Sequence, residues 1–195
     1  MPLLHNLILL GLTAPLDTRK VFIMSRSDAV TFKGNPITLG GEEVTVGQAA
    51  PDFTLHFFKD GMQTLTLNDV KGKPTLLSVV PSLDTPVCAV QTKKFNETLG
   101  GLGDKINAVT VSLDLPFAMN RFCGAEGITN IQSASDYQDR NFSSGWGTLI
   151  EELKIMTRAI FVLDANGNVT HAEYVGEVTE EPDYDAALAA LNAQL

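Results

Sequence analysis

Short apolar runs separated by turn residues make up most of the chain from Ala29 onward. The run TLLSVV at 75–80 has a proline on each side, which is typical of a short strand buried on both faces of a sheet. NAVTVSLD at 107–114 and AIFVLD at 159–164 predict two further strands. ANGN separates AIFVLD from the segment VTHAEYV and predicts a β-hairpin turn at 165–168.

Two segments nearer the N-terminus also have extended character. AVTFKGNPITL at 29–39 has strand-forming residues on both sides of Gly34-Asn35-Pro36, which predicts a small hairpin. VGQAAPDFTLHFF at 46–58 leads into an extended segment, which we expect to end at the Asp60-Gly61 turn.

The segment PVCAVQTKKFNETL at 86–99 predicts a helix directly after the buried strand TLLSVV. We expect Val87, Val90 and Leu99 near one apolar face, and Gly100-Gly101 at the end of the helix.

Two more helices are predicted further along the chain. LPFAMNRFCG at 115–124 favours a short helix with Pro116 in its first turn and Gly124 just beyond its end. EPDYDAALAALNAQL at 181–195 predicts a closing helix with an apolar stripe of alanine and leucine. Residues 128–147, between these helices, show no regular pattern.

The order of these elements predicts the fold. A β-α-β-α order followed by a β-hairpin and a final helix predicts an α/β, thioredoxin-like sandwich with a mixed central sheet and an N-terminal β-hairpin extension. We expect one such domain over residues 24–195, preceded by a separate extension at residues 1–23. A chain of 195 residues with 44% hydrophobic residues suits a single domain with a full core.

Composition argues against several classes of function. A formal net charge of −9 disfavours nucleic acid, whose phosphates need a basic surface. Two cysteines without a CxxC spacing, and three distant histidines, provide no set of four closely spaced metal ligands. We therefore expect neither a metal nor a nucleic-acid partner.

The N-terminal extension, residues 1–23, leaves three interpretations open. Its apolar patch Leu7–Leu12 resembles the core of an export signal, but it lacks a positively charged region before it. It is also too short to span a bilayer, which takes about 20 apolar residues. We prefer a tail, or a start placed too early with the working N-terminus near Met24, and hence a cytoplasmic protein without a membrane partner. Export is the alternative.

Cys88 carries the strongest chemical signal. Thr85 suits the cap of a helix and Pro86 its first position, which places Cys88 in the first turn. There its sulfur lies among free backbone N–H groups at the positive end of the helix dipole, surroundings that favour a reactive thiolate. A buried structural cysteine is the alternative, but the strand–turn–helix context favours reactivity.

Cys123 lies at the other end of its predicted helix, where free carbonyls disfavour a negative charge. We expect it to be the less acidic thiol. The two cysteines occupy separate elements, so a disulfide requires those elements to approach or partly unwind. An acidic thiol with a distant partner suggests oxidation to a sulfenic acid followed by condensation with the second thiol.

These segments resemble a known family. PSLDTPVC contains the Pro-x-x-x-Thr-x-x-Cys pattern of peroxiredoxins, and LPFAMNRFCGAEG is similar to the segment with the resolving cysteine in their thiol peroxidase (Tpx) subfamily. The resemblance continues through FKGNPITL, SDY, TRAIFVLDANGNV and EPDYDAALAAL, and leaves residues 1–23 unmatched.

The resemblance implies a role for each matched residue. Cys88 would be the peroxidatic cysteine and Cys123 the resolving cysteine of the same chain. Thr85 would hydrogen-bond the thiolate and the peroxide oxygens, and Pro81 would shield the site from water. Arg158 matches the active-site arginine, whose permanent charge can stabilise a thiolate.

The resemblance further implies reduction of hydrogen peroxide and organic hydroperoxides without any cofactor, recycling by thioredoxin, and a homodimer.

Without the resemblance, Arg158 would be interpreted as a surface cation. Arg121 is expected to pair with a surface acid. Three rival functions stay open. A thiol–disulfide oxidoreductase would need CxxC, which Cys88-Ala89-Val90-Gln91 lacks; a redox sensor or a structural domain with inert thiols could share the same cysteines.

Overall fold

The computed structural model describes residues 24–195, so the expectations for residues 1–23 lie outside the described part. The strands are β1 Ser25–Phe32, β2 Asn35–Gly40, β3 Thr54–Phe58, β4 Met62–Thr66, β5 Thr75–Val79, β6 Asn107–Ser112, β7 Gln132–Ser135, β8 Leu149–Ile150, β9 Ala159–Leu163 and β10 Val169–Tyr174. The helices are α1 Leu67–Val70, α2 Pro86–Leu99, α3 Pro116–Glu126, α4 Asn141–Gly145 and α5 Tyr184–Asn192.

A seven-stranded mixed sheet forms the centre, in the order β10-β9-β5-β6-β7-β3-β4. β5, β6 and β7 run parallel, and all the other neighbours in this sheet are antiparallel. Parallel neighbours need crossover connections, which α2 and α3 provide. Apolar clusters cover both faces of the sheet. The predicted thioredoxin-like sandwich with a mixed central sheet is therefore confirmed.

The predicted N-terminal hairpin is also confirmed, but its turn lies earlier than expected. β1 and β2 pair antiparallel, and β8 joins them in a separate three-stranded sheet. The chain reverses at Lys33 and Gly34, which both have positive φ angles of 51° and 77°. Such two-residue turns match the twist of the flanking strands. Because the turn consists of Lys33 and Gly34 alone, Asn35 pairs with Phe32, and Asn35 and Pro36 lie in β2.

The region 128–147, which shows no pattern in the sequence, contains β7 and α4. β7 has the sequence QSAS and pairs with β6 over its whole length. Its serines give no strand signal, so the pairing with β6 decides its structure. β4 and α1, between the Asp60-Gly61 turn and Lys71, also have no counterpart among the predicted elements.

The buried face of α2 differs from the prediction. Val90 is 46% exposed, so the expected apolar face through Val87 and Val90 is wrong. The residues that α2 buries are Cys88, Gln91, Thr92, Phe95 and Leu99. The last four lie 3, 4, 7 and 11 positions after Cys88, which defines one helical face, and Gln91 and Thr92 are polar. A search for apolar positions alone does not find this buried face, because Gln91 and Thr92 lie on it.

α3 is longer than predicted. It continues through Gly124 to Glu126 and ends at Gly127, whose φ of 66° is left-handed. The N–H of Ile128 donates to the carbonyl of Cys123 at 2.9 Å across this end. A left-handed glycine is the common helix terminator, so the terminator is Gly127, and the expectation that Gly124 ends the helix is wrong.

Glu177 ties the N-terminal hairpin to the segment after β10. Its carboxylate accepts hydrogen bonds from the Thr31 hydroxyl, from the N–H groups of Lys33 and Gly34, and from the hydroxyl and N–H of Thr179, at 2.6 to 3.0 Å. These bonds, with that of the Thr179 hydroxyl the strongest, hold the pKa of Glu177 well below its usual range.

We expect Glu177→Gln to lower the melting temperature at neutral pH. The folded pKa is lower than the unfolded value of about 4.3, so the carboxylate stabilises the fold above that pH and loses this effect as the pH falls. The difference from the parent protein should therefore narrow as the pH is lowered through about 5 to 3 in thermal melts followed by circular dichroism. Glu180→Gln, at an exposed neighbour, is the control. A difference independent of pH would contradict the prediction.

Candidate active site

The loop between β5 and α2 leads directly into the candidate site. Thr85 occupies the cap position with extended backbone (φ −107°, ψ 146°), and Pro86 is the first helical residue, as predicted. The Thr85 side chain makes no capping hydrogen bond; its hydroxyl instead donates to the carbonyl of Ser82 at 3.0 Å. The hydroxyl is exposed and turned back into the loop, and it is available for a role other than capping.

Cys88 lies in the first turn of α2 and is fully buried, with 0% of its surface exposed. It packs in a small cluster with Val80, Leu83 and Met119. The cluster joins the end of β5, the loop and α3, so the Cys88 sulfur lies where both cysteine-bearing helices meet the sheet. Burial alone would suit an inert thiol, and the neighbouring polar groups therefore decide its chemistry.

Arg158 brings a guanidinium to the Cys88 sulfur. Val79 at the end of β5 pairs with Ala159 at the start of β9, which places Arg158 beside the loop that leads to α2. Its Nη2 lies 3.4 Å from Sγ of Cys88, and the side chain is buried with 2% exposed. Arg158 is therefore not the surface cation that the sequence alone would suggest. A charged donor at this distance favours a thiolate.

Two further hydrogen bonds hold the Arg158 guanidinium. Its Nη1 donates to Oε1 of Gln91 at 2.6 Å, and its Nε donates to the carbonyl of Val178 at 3.1 Å. Gln91 in turn donates from Nε2 to the hydroxyl of Ser78 at 2.8 Å. Within residues 24–195 no carboxylate forms an ion pair with Arg158. Its positive charge is thus directed at the sulfur.

Gln91 and Ser78 are site residues that sequence reasoning missed. Both are completely buried. The available signal was the position of Gln91, three residues after Cys88 and so on the same helical face. A buried glutamine must find hydrogen-bond partners for both its oxygen and its nitrogen. A pattern of apolar positions gives no information about such partners.

Cys123 lies in the last turns of α3 and apart from Cys88. Both thiols are free, and Cys123 packs against the apolar cluster around Phe95 and Leu99, with Phe122 contacting both clusters. Burial raises the pKa of the Cys123 thiol, and a hydrogen bond to the Ser133 hydroxyl at 3.4 Å opposes this effect only in part.

A cleft of about 860 Å³ opens beside Cys123, between α3, β3 and the start of β7. Its lining includes Phe58, Asn120 and Ser133, whereas Cys88 is not part of it. The structure therefore brings together Cys88 and Arg158. It does not bring Cys123 to them, and it places Thr85 and the buried Pro81 in the adjoining loop. Among residues 24–195 no hydrogen bond joins the side chains of Thr85 and Cys88.

Comparison with known proteins identifies the family. The family model described as Redoxin matches residues 45–188. A thiol peroxidase of Bacillus subtilis is 48% identical over 164 residues, which cover 84% of this chain and 96% of the relative. A thiol peroxidase of Halalkalibacterium halodurans is also 48% identical, over 86% of this chain and 99% of the relative. The chain belongs to the redoxin family. Within that family it groups with the thiol peroxidases, a branch of the peroxiredoxins.

Solved structures of redoxin relatives agree with the fold. A peroxiredoxin-like protein from Aquifex aeolicus superposes with a TM-score of 0.80 at 39% identity, covering 87% of this chain and 98% of that one. A thiol peroxidase from Chromobacterium violaceum has a TM-score of 0.73 at 21% identity, covering 84% and 95%, and that likeness concerns the fold alone.

Neither a metal site nor a membrane-spanning helix occurs in the described part of this redoxin. No group of three or more histidine, cysteine, aspartate or glutamate side chains in residues 24–195 is arranged to hold a metal ion. Over the same residues, no helix combines the length and the apolar character needed to cross a bilayer. The polar side chain that contacts the Cys88 sulfur is Arg158, which is held in turn by Gln91 and, through Gln91, by Ser78.

We expect Arg158→Ala to slow both peroxide oxidation and iodoacetamide alkylation of Cys88. The variant loses a charge-assisted hydrogen bond, which corresponds to about a ten- to hundredfold change in rate. Stopped-flow oxidation and timed alkylation measure the two rates. Arg121→Ala is a matched control, because Arg121 is exposed on α3 and forms no ion pair within residues 24–195. Unchanged rates in Arg158→Ala would remove Arg158 from the site.

Proposed function

We propose that the protein is a thiol-dependent peroxidase that reduces hydrogen peroxide and organic hydroperoxides at Cys88. The observation that carries this proposal is the contact between Arg158 and the Cys88 sulfur at the start of α2. A cysteine of this kind needs no metal or organic cofactor, because sulfur itself takes up the oxidation. The kinship with thiol peroxidases supports the same chemistry.

In the proposed first step the Cys88 thiolate attacks one oxygen of the hydroperoxide. The S–O bond forms as the O–O bond breaks, and the leaving oxygen takes a proton, so that ROOH, thiolate and H⁺ give ROH and a Cys88 sulfenic acid. Arg158 would stabilise the thiolate and orient the peroxide through its fixed fork of donors. The Thr85 hydroxyl donates its hydrogen to the Ser82 carbonyl, so its oxygen would bind the peroxide as an acceptor, and Pro81 would exclude water.

In the proposed second step the Cys123 thiol attacks the sulfur of the sulfenic acid. A Cys88–Cys123 disulfide forms and water leaves. The two cysteines pack in different clusters of the structure, and disulfide geometry tolerates little error. The end of α3 must therefore open before Cys123 can reach Cys88.

We further propose that a dithiol of the thioredoxin type completes the cycle. One of its thiols attacks the Cys88–Cys123 disulfide, its second thiol resolves the mixed disulfide, and both cysteines return to the reduced state. A disulfide that forms and breaks in each cycle suits the reducing cytoplasm. A homodimer belongs to the same proposal and follows from the resemblance to the thiol peroxidase subfamily.

A redox sensor that uses the same disulfide as a switch is the main rival. A sensor and a peroxidase share the oxidation of Cys88 and differ in turnover. Many moles of peroxide consumed per mole of protein, in the presence of thioredoxin, its reductase and NADPH, would distinguish the peroxidase.

The two cysteines should give different phenotypes when replaced by serine. We expect Cys88→Ser to abolish peroxide consumption, because the nucleophile is lost. Cys123→Ser should keep one round of peroxide reduction but lose recycling by thioredoxin, because no disulfide forms. Single-turnover oxidation followed by mass mapping of the thiols, together with coupled NADPH oxidation, measures both effects.

The opposite pattern would contradict this assignment of roles. If Cys123→Ser lost the first oxidation while Cys88→Ser retained it, Cys123 would be the attacking thiol. Stoichiometric peroxide that left both thiols of the parent protein free would contradict the proposed function as a whole.

Gly124 provides a test of the opening of α3. It lies inside the helix, and an added Cβ would meet no atom within 4 Å, so packing does not require a glycine. Glycine in a helix interior costs about 1 kcal/mol relative to alanine. We expect Gly124→Ala to leave the first oxidation unchanged and to slow formation of the disulfide by up to about fivefold.

Gly101→Ala is the matched control, because an added Cβ there also meets open space and the position lies outside α3. Rapid-quench alkylation after a single addition of peroxide measures the rate of disulfide formation. An unchanged rate in Gly124→Ala would show that opening of the helix at this point does not limit the second step.

A further inference from the structure

Asp114 connects the two loops that lead into the cysteine-bearing helices. It follows β6 and comes two residues before α3. Its carboxylate accepts the Ser82 hydroxyl at 2.8 Å through Oδ1 and the N–H of Leu83 at 2.7 Å through Oδ2. The N–H of Asp114 donates to the Ser112 hydroxyl at 2.9 Å. A carboxylate that is fixed in this way holds the loop between β5 and α2 at two adjacent residues.

Ser82 carries this restraint to Thr85. The carbonyl of Ser82 accepts the Thr85 N–H at 3.1 Å and the Thr85 hydroxyl at 3.0 Å, and its Oγ accepts the N–H of Asp84 at 3.3 Å. A hydroxyl has one hydrogen and two acceptor lone pairs. Because the hydrogen of the Thr85 hydroxyl is engaged by Ser82, its oxygen can offer only lone pairs to a ligand.

A hydroperoxide at Cys88 needs such an acceptor. Its O–H group must donate a hydrogen bond, whereas the guanidinium of Arg158 can only donate. The Thr85 oxygen can accept this hydrogen bond as long as its own hydrogen is donated to the Ser82 carbonyl. The orientation of the Thr85 hydroxyl therefore matters to the peroxide and depends on the position of Ser82.

We propose that Asp114 is a positioning residue for the peroxide step, acting through Ser82 on the Thr85 hydroxyl. The inference rests on the proposed function, in which Cys88 attacks the peroxide and Thr85 binds it. Within residues 24–195 the hydrogen bonds of the Asp114 carboxylate go to Ser82 and Leu83 of the loop, so Asp114 takes no part in the reaction itself. Its effect should therefore appear in the reaction with peroxide and not in the general reactivity of the Cys88 thiol.

The test uses the full-length Cys123→Ser protein as parent, so that only the first step is observed. Asp114→Ala should slow oxidation of Cys88 by hydrogen peroxide about tenfold, the rate equivalent of one lost hydrogen bond. Alkylation of Cys88 by iodoacetamide should stay within about twofold, since Arg158 is untouched. Asp84→Ala is the matched control, an exposed aspartate of the same loop whose carboxylate accepts no hydrogen bond within residues 24–195.

A double-mutant cycle decides whether Asp114 acts through Thr85. Thr85→Val keeps the shape of the side chain and removes the hydroxyl, and it spares the helix cap because the hydroxyl makes no capping bond. In the Thr85→Val protein we expect Asp114→Ala to cause no further loss in the peroxide rate. A full tenfold loss there would overturn the proposal, since Asp114 would act by another route.

Two other results would also overturn the proposal. An unchanged peroxide rate in Asp114→Ala would show that the loop holds Thr85 without the carboxylate. A parallel fall in the alkylation rate would show general damage to the site. Failure of the proposed function is distinguishable from both, because the parent protein itself would then resist oxidation by peroxide.

Discussion

The buried contact between the Arg158 guanidinium and the Cys88 sulfur is the interaction on which the site depends. A buried cation is costly unless its donors are satisfied and its charge is balanced. Gln91 and the carbonyl of Val178 satisfy two of its donor groups without contributing charge. The Cys88 sulfur lies 3.4 Å from Nη2 of Arg158, so the two side chains form one buried unit whose parts depend on each other.

The two cysteines differ because their helices differ. Cys88 is held at the start of α2, in a fully buried cluster that includes Met119 of α3. Cys123 is half-buried near the end of α3, where Gly124 weakens the helix. Apolar packing against Phe95 and Leu99 joins this end to α2, and the exposed Lys93–Glu126 ion pair adds little. In the proposed cycle Cys88 meets the peroxide first, which suits its fixed place in a buried cluster, and Cys123 has to move, which suits its place near a helix end.

The elements that were predicted correctly are those whose signal lies within a few residues. The proline-bounded run 75–80 contains β5, the Thr85-Pro86 pair lies at the start of α2, and ANGN forms the turn between β9 and β10. The elements and faces that the sequence did not predict are those whose structure depends on residues distant in the chain. β7 has a polar sequence and is a strand because β6 pairs with it. The buried face of α2 contains Gln91 because Arg158 and Ser78 provide its partners.

The sequence by itself determined that a cysteine stands in the first turn of a helix after a buried strand, and the family motifs pointed to peroxide chemistry. Short-range rules suffice for this, since caps and turns involve residues a few positions apart. The resemblance named Arg158, but only the tertiary structure decided that its guanidinium meets that sulfur and that Gln91 and the Val178 carbonyl hold it there. Arg158 lies 70 positions from Cys88 along the chain, and the antiparallel register of β5 with β9 brings the two together. Register depends on the pairing of whole strands across the sheet, which no local pattern specifies.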